Sequence, residues 1–498
     1  MLGTMDQFRL SRATLSRLAP SVRVPKFDPA RVTPGIVHLG FGGFHRAHMA
    51  RYTHDLMEAQ PSARNWGIVG AGLLPADRKM HEALAAQDGL YTLVERSDDK
   101  ESVTVIGAVT GTIYAGDDSA PLLEAIDRHG VKIVSLTVTE NGYCLNPATK
   151  RLDRENAAIA ADLKNPTTPH SAIGIIAEAY RRRMASGRRA FTALSCDNIP
   201  HNGVVLKQAI LDFAALRDPG LARWISAEAR FSSTMVDRIT PRTRPEDVAD
   251  LAARHGIVDS WPVFCETFSQ WVIEDDFADG RPAWELVGAQ FVPDVAPYEF
   301  MKLRLLNASH LAIAGLGQLS GYRFIHETMR DARMRRYMEA LMERETGPTL
   351  PPVRGVDLAA YKTTLMERFA NATIMDTVER VNADAPINLL VDPIRERLKT
   401  SGSVDLLTLA LAAWLRRARG TDDAGKHLAV QHPLASMLLE KAAEGGSNPR
   451  PLLSIESLFG ELGRNERLVA NVGKWLESLY AVGALETLRK LDRLPRQA

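Results

Sequence analysis

Gly35-Ile36-Val37-His38-Leu39-Gly40-Phe41-Gly42-Gly43-Phe44-His45-Arg46-Ala47-His48 is the stretch that decides the fold. The run 35–40 is short and apolar and predicts a buried strand. It passes into a glycine turn, and a helix is predicted from there to about residue 58. Strand, glycine turn and helix in that order suit a dinucleotide pyrophosphate. Glycines let the backbone approach the phosphates, and a helix N-terminus offers free N–H groups. Gly40, Gly42, Gly43, Phe44 and Arg46 are therefore the candidate cofactor-binding residues. The third glycine of the full fingerprint is absent, because His45 stands in its place. A plain strand-to-helix turn is the competing reading.

Working outward, 66–72 predicts a second strand, followed by Leu74-Pro75-Ala76-Asp77-Arg78-Lys79. An acidic side chain after the second strand hydrogen-bonds adenosine ribose hydroxyls and repels a 2′-phosphate. Asp77 is that candidate and favours NAD over NADP. Two readings compete with it: Asp77 as a helix N-cap, and Arg78 with Lys79 as a phosphate site. Further strands are predicted over 91–95, 103–112, 131–140, 190–194 and 233–236, with a shorter strand-like run over 264–273. Helices are predicted over 120–129 and 171–186. Three predicted strands end in polar groups, Glu140, Asn198 and Asp237. Ligands of open α/β sheets bind beyond the strand carboxyl ends, so these three together form a candidate cleft rim.

From Glu299 onward the strand signals nearly vanish. Helices are predicted over 331–345, 358–368, 374–381, 393–398, 405–417, 432–443 and 466–480. The first of the helical half is Met301-Lys302-Leu303-Arg304-Leu305-Leu306-Asn307-Ala308-Ser309-His310-Leu311-Ala312-Ile313-Ala314. At 100° per residue, Lys302, Asn307 and His310 fall at roughly 0°, 140° and 80°, so one face carries all three, and Arg304 alone points roughly opposite. Apolar residues occupy the rest of the circumference, as in a buried helix. A buried lysine is costly without a task or a partner. The fold class is α/β: a Rossmann-like nucleotide domain over 1–285 and a mostly α-helical domain over 286–498.

Composition narrows the function. A chain of 498 residues can bury a large core, and a formal charge of +1 offers no case for nucleic acid or an anionic membrane. The longest apolar run, 406–415, is too short to span a bilayer. The N-terminus has no apolar signal core, and Met5 is a candidate native start, with 1–4 an extension. Three scattered cysteines, Cys144, Cys196 and Cys265, suit a reducing cytoplasm. No Cys/His group has zinc-ligand spacing.

Gly-Phe-Gly-Gly-Phe-His-Arg-Ala-His (40–48), Thr-Glu-Asn-Gly-Tyr-Cys (139–144), Ser-Cys-Asp-Asn-Ile-Pro-His-Asn-Gly (195–203) and Met-Val-Asp-Arg-Ile-Thr-Pro (235–241) occur in order. With Lys302, Asn307 and His310 they resemble the polyol-specific long-chain dehydrogenase family, over nearly the whole chain. The resemblance implies a zinc-independent, monomeric NAD enzyme that interconverts a polyol and its 2-ketose, as in mannitol and fructose. By it, Lys302 is the general base, Asn198 and Asn307 hold the reacting oxygen, and His310 binds substrate and orients the site. Glu140 and Asp237 belong to the proton path or substrate site, and Arg380, in Val378-Glu379-Arg380-Val381, binds substrate hydroxyls.

The chemistry is consistent with that set. Hydride leaves an alcohol carbon only as the hydroxyl proton leaves too, and a buried lysine beside a cationic nicotinamide is suited to take it. Two amide donors stabilise alkoxide charge without adding net charge. Mannitol-oxidising family members carry a further lysine shortly after Glu-Arg-Val. Here Asn382-Ala383-Asp384-Ala385-Pro386-Ile387 has none, so sorbitol and arabinitol stand beside mannitol as substrates. Two alternatives remain. A hexuronate (fructuronate-type) reductase would need an unpaired cation for the carboxylate, for which Arg380 is available. A non-catalytic NAD-binding sensor should have lost Lys302 or an amide partner, and all are present.

Overall fold

The computed structural model describes residues 7–98, 100–146 and 149–491. Met5 lies outside them. The chain divides into two compact units, Met1–Ala296 and Pro297–Ala498. The boundary expected near 285 falls short of this division. Gln290–Val292 pairs in parallel with Gln270–Glu274, which holds the chain in the first unit through that strand.

The first unit is built on five parallel strands: β1 (Pro34–Leu39), β2 (Gly67–Gly72), β3 (Val109–Tyr114), β4 (Ile133–Leu136) and β5 (Thr192–Ser195). Their spatial order is β3-β2-β1-β4-β5. The order reverses between β1 and β4, the switch point where doubly wound sheets bind nucleotides. Both faces are covered, which explains the continuous apolar runs. Val37, Leu39, Val69, Val134 and Leu136 face one core; Ile36, Ile68, Ile133 and Leu194 face the other. The run 103–112, expected as one strand, is two. Lys100–Ile106 pairs with Tyr91–Ser97 in a separate mixed sheet, whereas β3 belongs to the main one. The change comes at Gly107, where a Cβ would meet Pro25 Cγ at 2.8 Å. The run 264–273 likewise divides, into Val263–Glu266 and Gln270–Glu274.

The glycine turn after β1 has a specific geometry. Gly40 adopts φ +81°, and a Cβ there would lie 2.1 Å from the Thr137 carbonyl oxygen after β4. The helix Gly43–Ala47 follows, and His48 breaks it from Met49–Ala59. The missing third glycine is accounted for by ring stacking. His45 lies on His38 of β1 with centroids 3.4 Å apart. Helix and strand thus meet through two imidazoles instead of a bare backbone. Thr137 Oγ1 donates to the Gly40 carbonyl (2.8 Å), so it accepts from His38 Nε2 (2.9 Å), and Ser135 Oγ donates to His38 Nδ1 (2.8 Å). That arrangement is the neutral imidazole.

The second unit is helical. Ala308–Leu319 is buried along its whole length and packs on Asp405–Arg417 and Glu466–Leu491. The helix that leads into it is not a regular α-helix. Ala296–Met301 is α-helical, Lys302–Asn307 is a π turn, and the Ala308 N–H donates to the Leu303 carbonyl five residues back. The segment 374–381 is not one helix either. The helix is Val378–Asp384, capped by Thr377 Oγ1 accepting from the Arg380 N–H (3.2 Å), and Asp376 precedes it. Met375, at φ 55°, breaks the chain direction there.

The histidine stack gives a pH dependence. Burial lowers the His38 pKa from 6.5 to about 3. Burial, then the neighbouring His38, His48 and Arg46, put His45 well below its ordinary value. Between roughly pH 6.5 and 3 the unfolded chain therefore binds more protons than the folded one, and stability falls as pH drops. His45 makes no hydrogen bond at either nitrogen, so His45→Leu forfeits none. The variant should unfold at a lower pH than the parent in an acid titration followed by circular dichroism; an unchanged midpoint would take His45 out of the acid response.

Candidate active site

Of the three expected rim residues only Asp237 ends a strand; Glu140 and Asn198 lie beyond the ends of β4 and β5. Glu140 lies exposed on the short 3-10 turn Glu140–Tyr143 after β4. Asn198 is exposed in the loop after β5. Asp237 ends the strand Thr234–Asp237 and is 3% exposed. What joins them is a set of buried polar residues that the sequence reading passed over. Asn202 donates from Nδ2 to the carbonyls of Asp197 (2.9 Å) and Thr234 (2.8 Å), and its Oδ1 accepts from the Thr234 N–H (3.0 Å). It ties the Asn198 loop to the Asp237 strand. Asp197 accepts from the N–H groups of Val138 (3.2 Å) and Thr139 (2.8 Å) and from the Tyr143 hydroxyl (2.9 Å). That joins the Asn198 loop to the turn carrying Glu140, where Thr139 is held at φ 62°. Burial raises the Asp197 pKa, against the pull of those three donors. Each bond contributes about 1 kcal/mol net, and losing a partner in this interior costs more.

Arg238 extends the network toward the glycine turn. It donates to the Ala47 carbonyl (2.6 Å) and the Glu266 carbonyl (2.9 Å), and pairs with Glu95. Thr240 Cγ2 lies 3.9 Å from where a Gly43 Cβ would stand. The glycine turn, the Asn198 loop and the Asp237 strand are thus drawn to one end of the sheet. Asp197 and Asn202 flank Asn198 within 195–203. A signal existed, since two amides and a carboxylate in six residues exceed what a solvated loop needs.

The cofactor residues divide by placement. Gly42 has open space around it, since a Cβ there would find its nearest neighbour, the Gly40 carbonyl oxygen, at 3.8 Å. Gly43 is similarly open, so the backbone at the turn is approachable. Phe44 is half-buried and stacks on His48 at 5.0 Å. Arg46 is turned inward, contrary to its place among the expected cofactor contacts. It is buried, donates to the Trp261 carbonyl (2.6 Å) and lies over the Tyr91 ring (5.2 Å). Burial lowers its pKa to about 10. Its guanidinium braces the helix from within the unit. Asp77 follows β2, and its Oδ2 accepts from the N–H groups of Leu73 (3.0 Å) and Leu74 (2.9 Å). Both donors precede Asp77, and as N-cap of the helix Arg78–Ala85 it makes no side-chain capping bond, so the helix-cap alternative does not describe its carboxylate. Arg78 is engaged by Asp117 and by the Tyr114 ring at 4.3 Å, which weakens the case for it as a phosphate site.

In the second unit, the π turn changes the angular reading of the helix. A regular helix would set Lys302 and Asn307 about 140° apart. A turn closed from residue i to i+5 narrows that angle and sets them one turn apart on the single face the sequence predicts. Lys302 is buried, at 8% exposed. The Asn307 side-chain oxygen is buried with no protein partner. His310, a turn further on, packs at 5.0 Å from the Phe369 ring, and its Nε2 lies 3.3 Å from Asp376 Oδ2. Arg380 forms a two-pronged pair with the same carboxylate, Nε to Oδ1 and Nη2 to Oδ2, both 2.7 Å. Asp376 thus links two expected substrate residues. It was missed because 374–381 read as helix. Arg304 is directed elsewhere, onto Glu396 at 2.6 Å.

Among the described residues no group of three or more His, Cys, Asp or Glu side chains could hold a metal, and no helix is long and apolar enough to cross a membrane. The cysteines Cys144, Cys196 and Cys265 are buried and free.

Comparison with known proteins places these features in a family. Residues 34–286 match the mannitol dehydrogenase Rossmann domain, and residues 294–480 match the mannitol dehydrogenase C-terminal domain. Mannitol 2-dehydrogenase of Pyricularia oryzae is 41% identical over 496 residues, covering 97% of this chain and 99% of that protein. Among solved structures, Pseudomonas fluorescens mannitol 2-dehydrogenase in ternary complex with NAD and D-mannitol is 41% identical. Its TM-score is 0.89, with 98% of this chain and 100% of that one covered. A substrate-free D-sorbitol dehydrogenase is 34% identical, with a TM-score of 0.87 and coverage of 96% and 100%. The two domain matches and the full-length similarity agree: the chain belongs to the mannitol dehydrogenase family.

Proposed function

We propose that this protein is an NAD-dependent dehydrogenase that interconverts a polyol and its 2-ketose, with a lysine base and no metal. The carrying observation is the π turn, which sets a buried lysine and an amide with an unpartnered oxygen on one side of a helix. Full-length similarity to mannitol 2-dehydrogenases, one of them solved with NAD and mannitol, supports the reaction class and the cofactor. The open backbone at Gly42 and Gly43 fits a dinucleotide pyrophosphate, and the Asp77 carboxylate beyond β2 fits the adenosine ribose. When bound, NAD accepts the hydride from the alcohol carbon.

The chain's own residues handle the proton and the oxygen. Lys302 Nζ takes the hydroxyl proton. Asn307 and Asn198 donate from their amide nitrogens to the oxygen as its charge grows. The Asn307 Oδ1, short of a donor in the protein, is suited to accept from a substrate hydroxyl. His310, Asp237 and Arg380 read the remaining hydroxyls, and Glu140, exposed at the end of β4, passes the proton outward. Neither the hexuronate reductase nor the sensor reading is favoured, because the mannitol 2-dehydrogenase similarity runs the full length and the lysine and both amides are present. Mannitol, sorbitol and arabinitol remain the substrates to compare. The same reading takes the enzyme as a cytoplasmic monomer, in keeping with three unpaired buried thiols.

Spectrophotometric NAD reduction with a polyol panel, and NADH oxidation with ketoses, tests the reaction; no change with any of them would end this reading. Lys302→Ala should lower kcat by about a thousandfold and leave NADH binding, measured by fluorescence titration, nearly intact. Near-normal turnover would remove Lys302 from its role. Asp77→Asn keeps an acceptor for the Leu73 and Leu74 amides and should narrow the preference for NAD over NADP in kcat/KM. Unchanged selectivity would mean the ribose is read elsewhere. Gly42→Ala should melt within about 0.5 kcal/mol of the parent yet bind NADH about tenfold more weakly. Gly40→Ala, forced to a left-handed φ against a carbonyl, should lose at least about 2 kcal/mol of stability. Equal NADH affinity in the Gly42 variant would move the pyrophosphate off that turn.

A further inference from the structure

Asp376 sits just before the helix Val378–Asp384. Its backbone is fixed by the Ile325 N–H, which donates to its carbonyl (2.9 Å), and by the bridge between Phe324 and Thr377. Its carboxylate is buried and touches both residues expected to read substrate hydroxyls. Arg380 donates to each of its oxygens at 2.7 Å, and His310 Nε2 stands 3.3 Å from Oδ2. Asp384 Oδ2 takes a third Arg380 donor, from Nη1, at 3.2 Å. Burial alone would raise the Asp376 carboxyl; the bonds and charges of His310 and Arg380 outweigh it and hold the group well below the ordinary carboxylate range. It is therefore ionised wherever the enzyme is folded and working.

The charges and donors can be counted. Arg380 brings one positive charge, and Asp376 with Asp384 brings two negative ones. A guanidinium has five N–H donors. Three are taken by the two carboxylates, which leaves two for a ligand. What Arg380 offers is hydrogen bonding without net positive charge. Neutral hydroxyls are served by such a group. A carboxylate arriving there meets a half-exposed cation already paired with the buried Asp376 and the exposed Asp384, and like charges brought together disfavour binding.

We propose that Asp376 is a positioning and specificity-determining residue, which locks Arg380 and His310 into a hydroxyl-reading pair and turns away substrates that carry a carboxylate at that place. This rests on the polyol dehydrogenase reading. It also explains how an arginine at position 380 can serve a neutral sugar alcohol without admitting the matching sugar acid.

The test compares the full-length enzyme with Asp376→Asn in the reductive direction with NADH, using D-fructose and D-fructuronate as the neutral and carboxylate-bearing ketoses. The parent should favour the neutral ketose by a hundredfold or more in kcat/KM. In Asp376→Asn, kcat/KM for fructose should drop about tenfold, mostly through KM, and the preference over fructuronate should narrow about tenfold or more. A folded variant that turns over fructose with an unchanged ratio, or that loses kcat alone, overturns the inference. If Asp376→Asn does not fold, the parent enzyme still decides it. D-mannonate should inhibit polyol oxidation at least tenfold more weakly than a neutral, unreacted hexitol, and equal or stronger inhibition overturns the inference. A parent enzyme inactive with every polyol and neutral ketose removes the underlying reading as well, whereas an unchanged ratio in an active enzyme removes only the role of Asp376.

Discussion

A helical turn closed over five residues sets the polar face of the second unit. A π turn is wider than an α turn and makes poorer contacts along its axis, so it persists only where its surroundings hold it. Here Met301 precedes it and Ala308–Leu319 follows it, all buried, and Leu305 and Leu306 within it are buried as well. The apolar packing leaves the turn no room to rewind. The result is a lysine and an amide set one above the other, with His310 a turn beyond. Placing these side chains on a buried helix rather than a loop restricts their motion.

The first unit reaches the same end by different means. Its strands end in loops, and loops need polar anchoring. Asn202 and Asp197 supply it with hydrogen bonds in the interior, where each is strengthened by the low dielectric and where each unpaired group would be expensive. Arg238 continues the bracing to the carbonyl of Ala47 beside the glycine turn. The three segments that bear Glu140, Asn198 and Asp237 are therefore cross-linked by buried polar residues. In the second unit Asp376 plays the corresponding part for His310 and Arg380.

Much of this was legible in the chain. The apolar runs around 36, 68, 134 and 193 became parallel strands because a strand buried on both faces needs no alternation. Where the reading slipped, the physics was non-local. The run 103–112 has the composition of one strand, yet Gly107 passes so close to Pro25 that the chain leaves one sheet and enters another. Asp376 read as the interior of a helix, because nothing nearby announces that Phe324 and Thr377 form a bridge there. Arg46 is placed among the cofactor contacts by its position after the glycines, but Trp261, more than two hundred residues on, provides the carbonyl that draws it inward.

By itself the sequence determined the two-part α/β design and the glycine turn, since these follow from local periodicity and from the backbone freedom of glycine. Tertiary structure alone decided which charges are spent on each other. Whether Arg380 is paired with a carboxylate and whether Arg46 faces out or in depend on through-space partners. The local order of residues does not encode those distances, because the partners that set them are brought together only when the core closes.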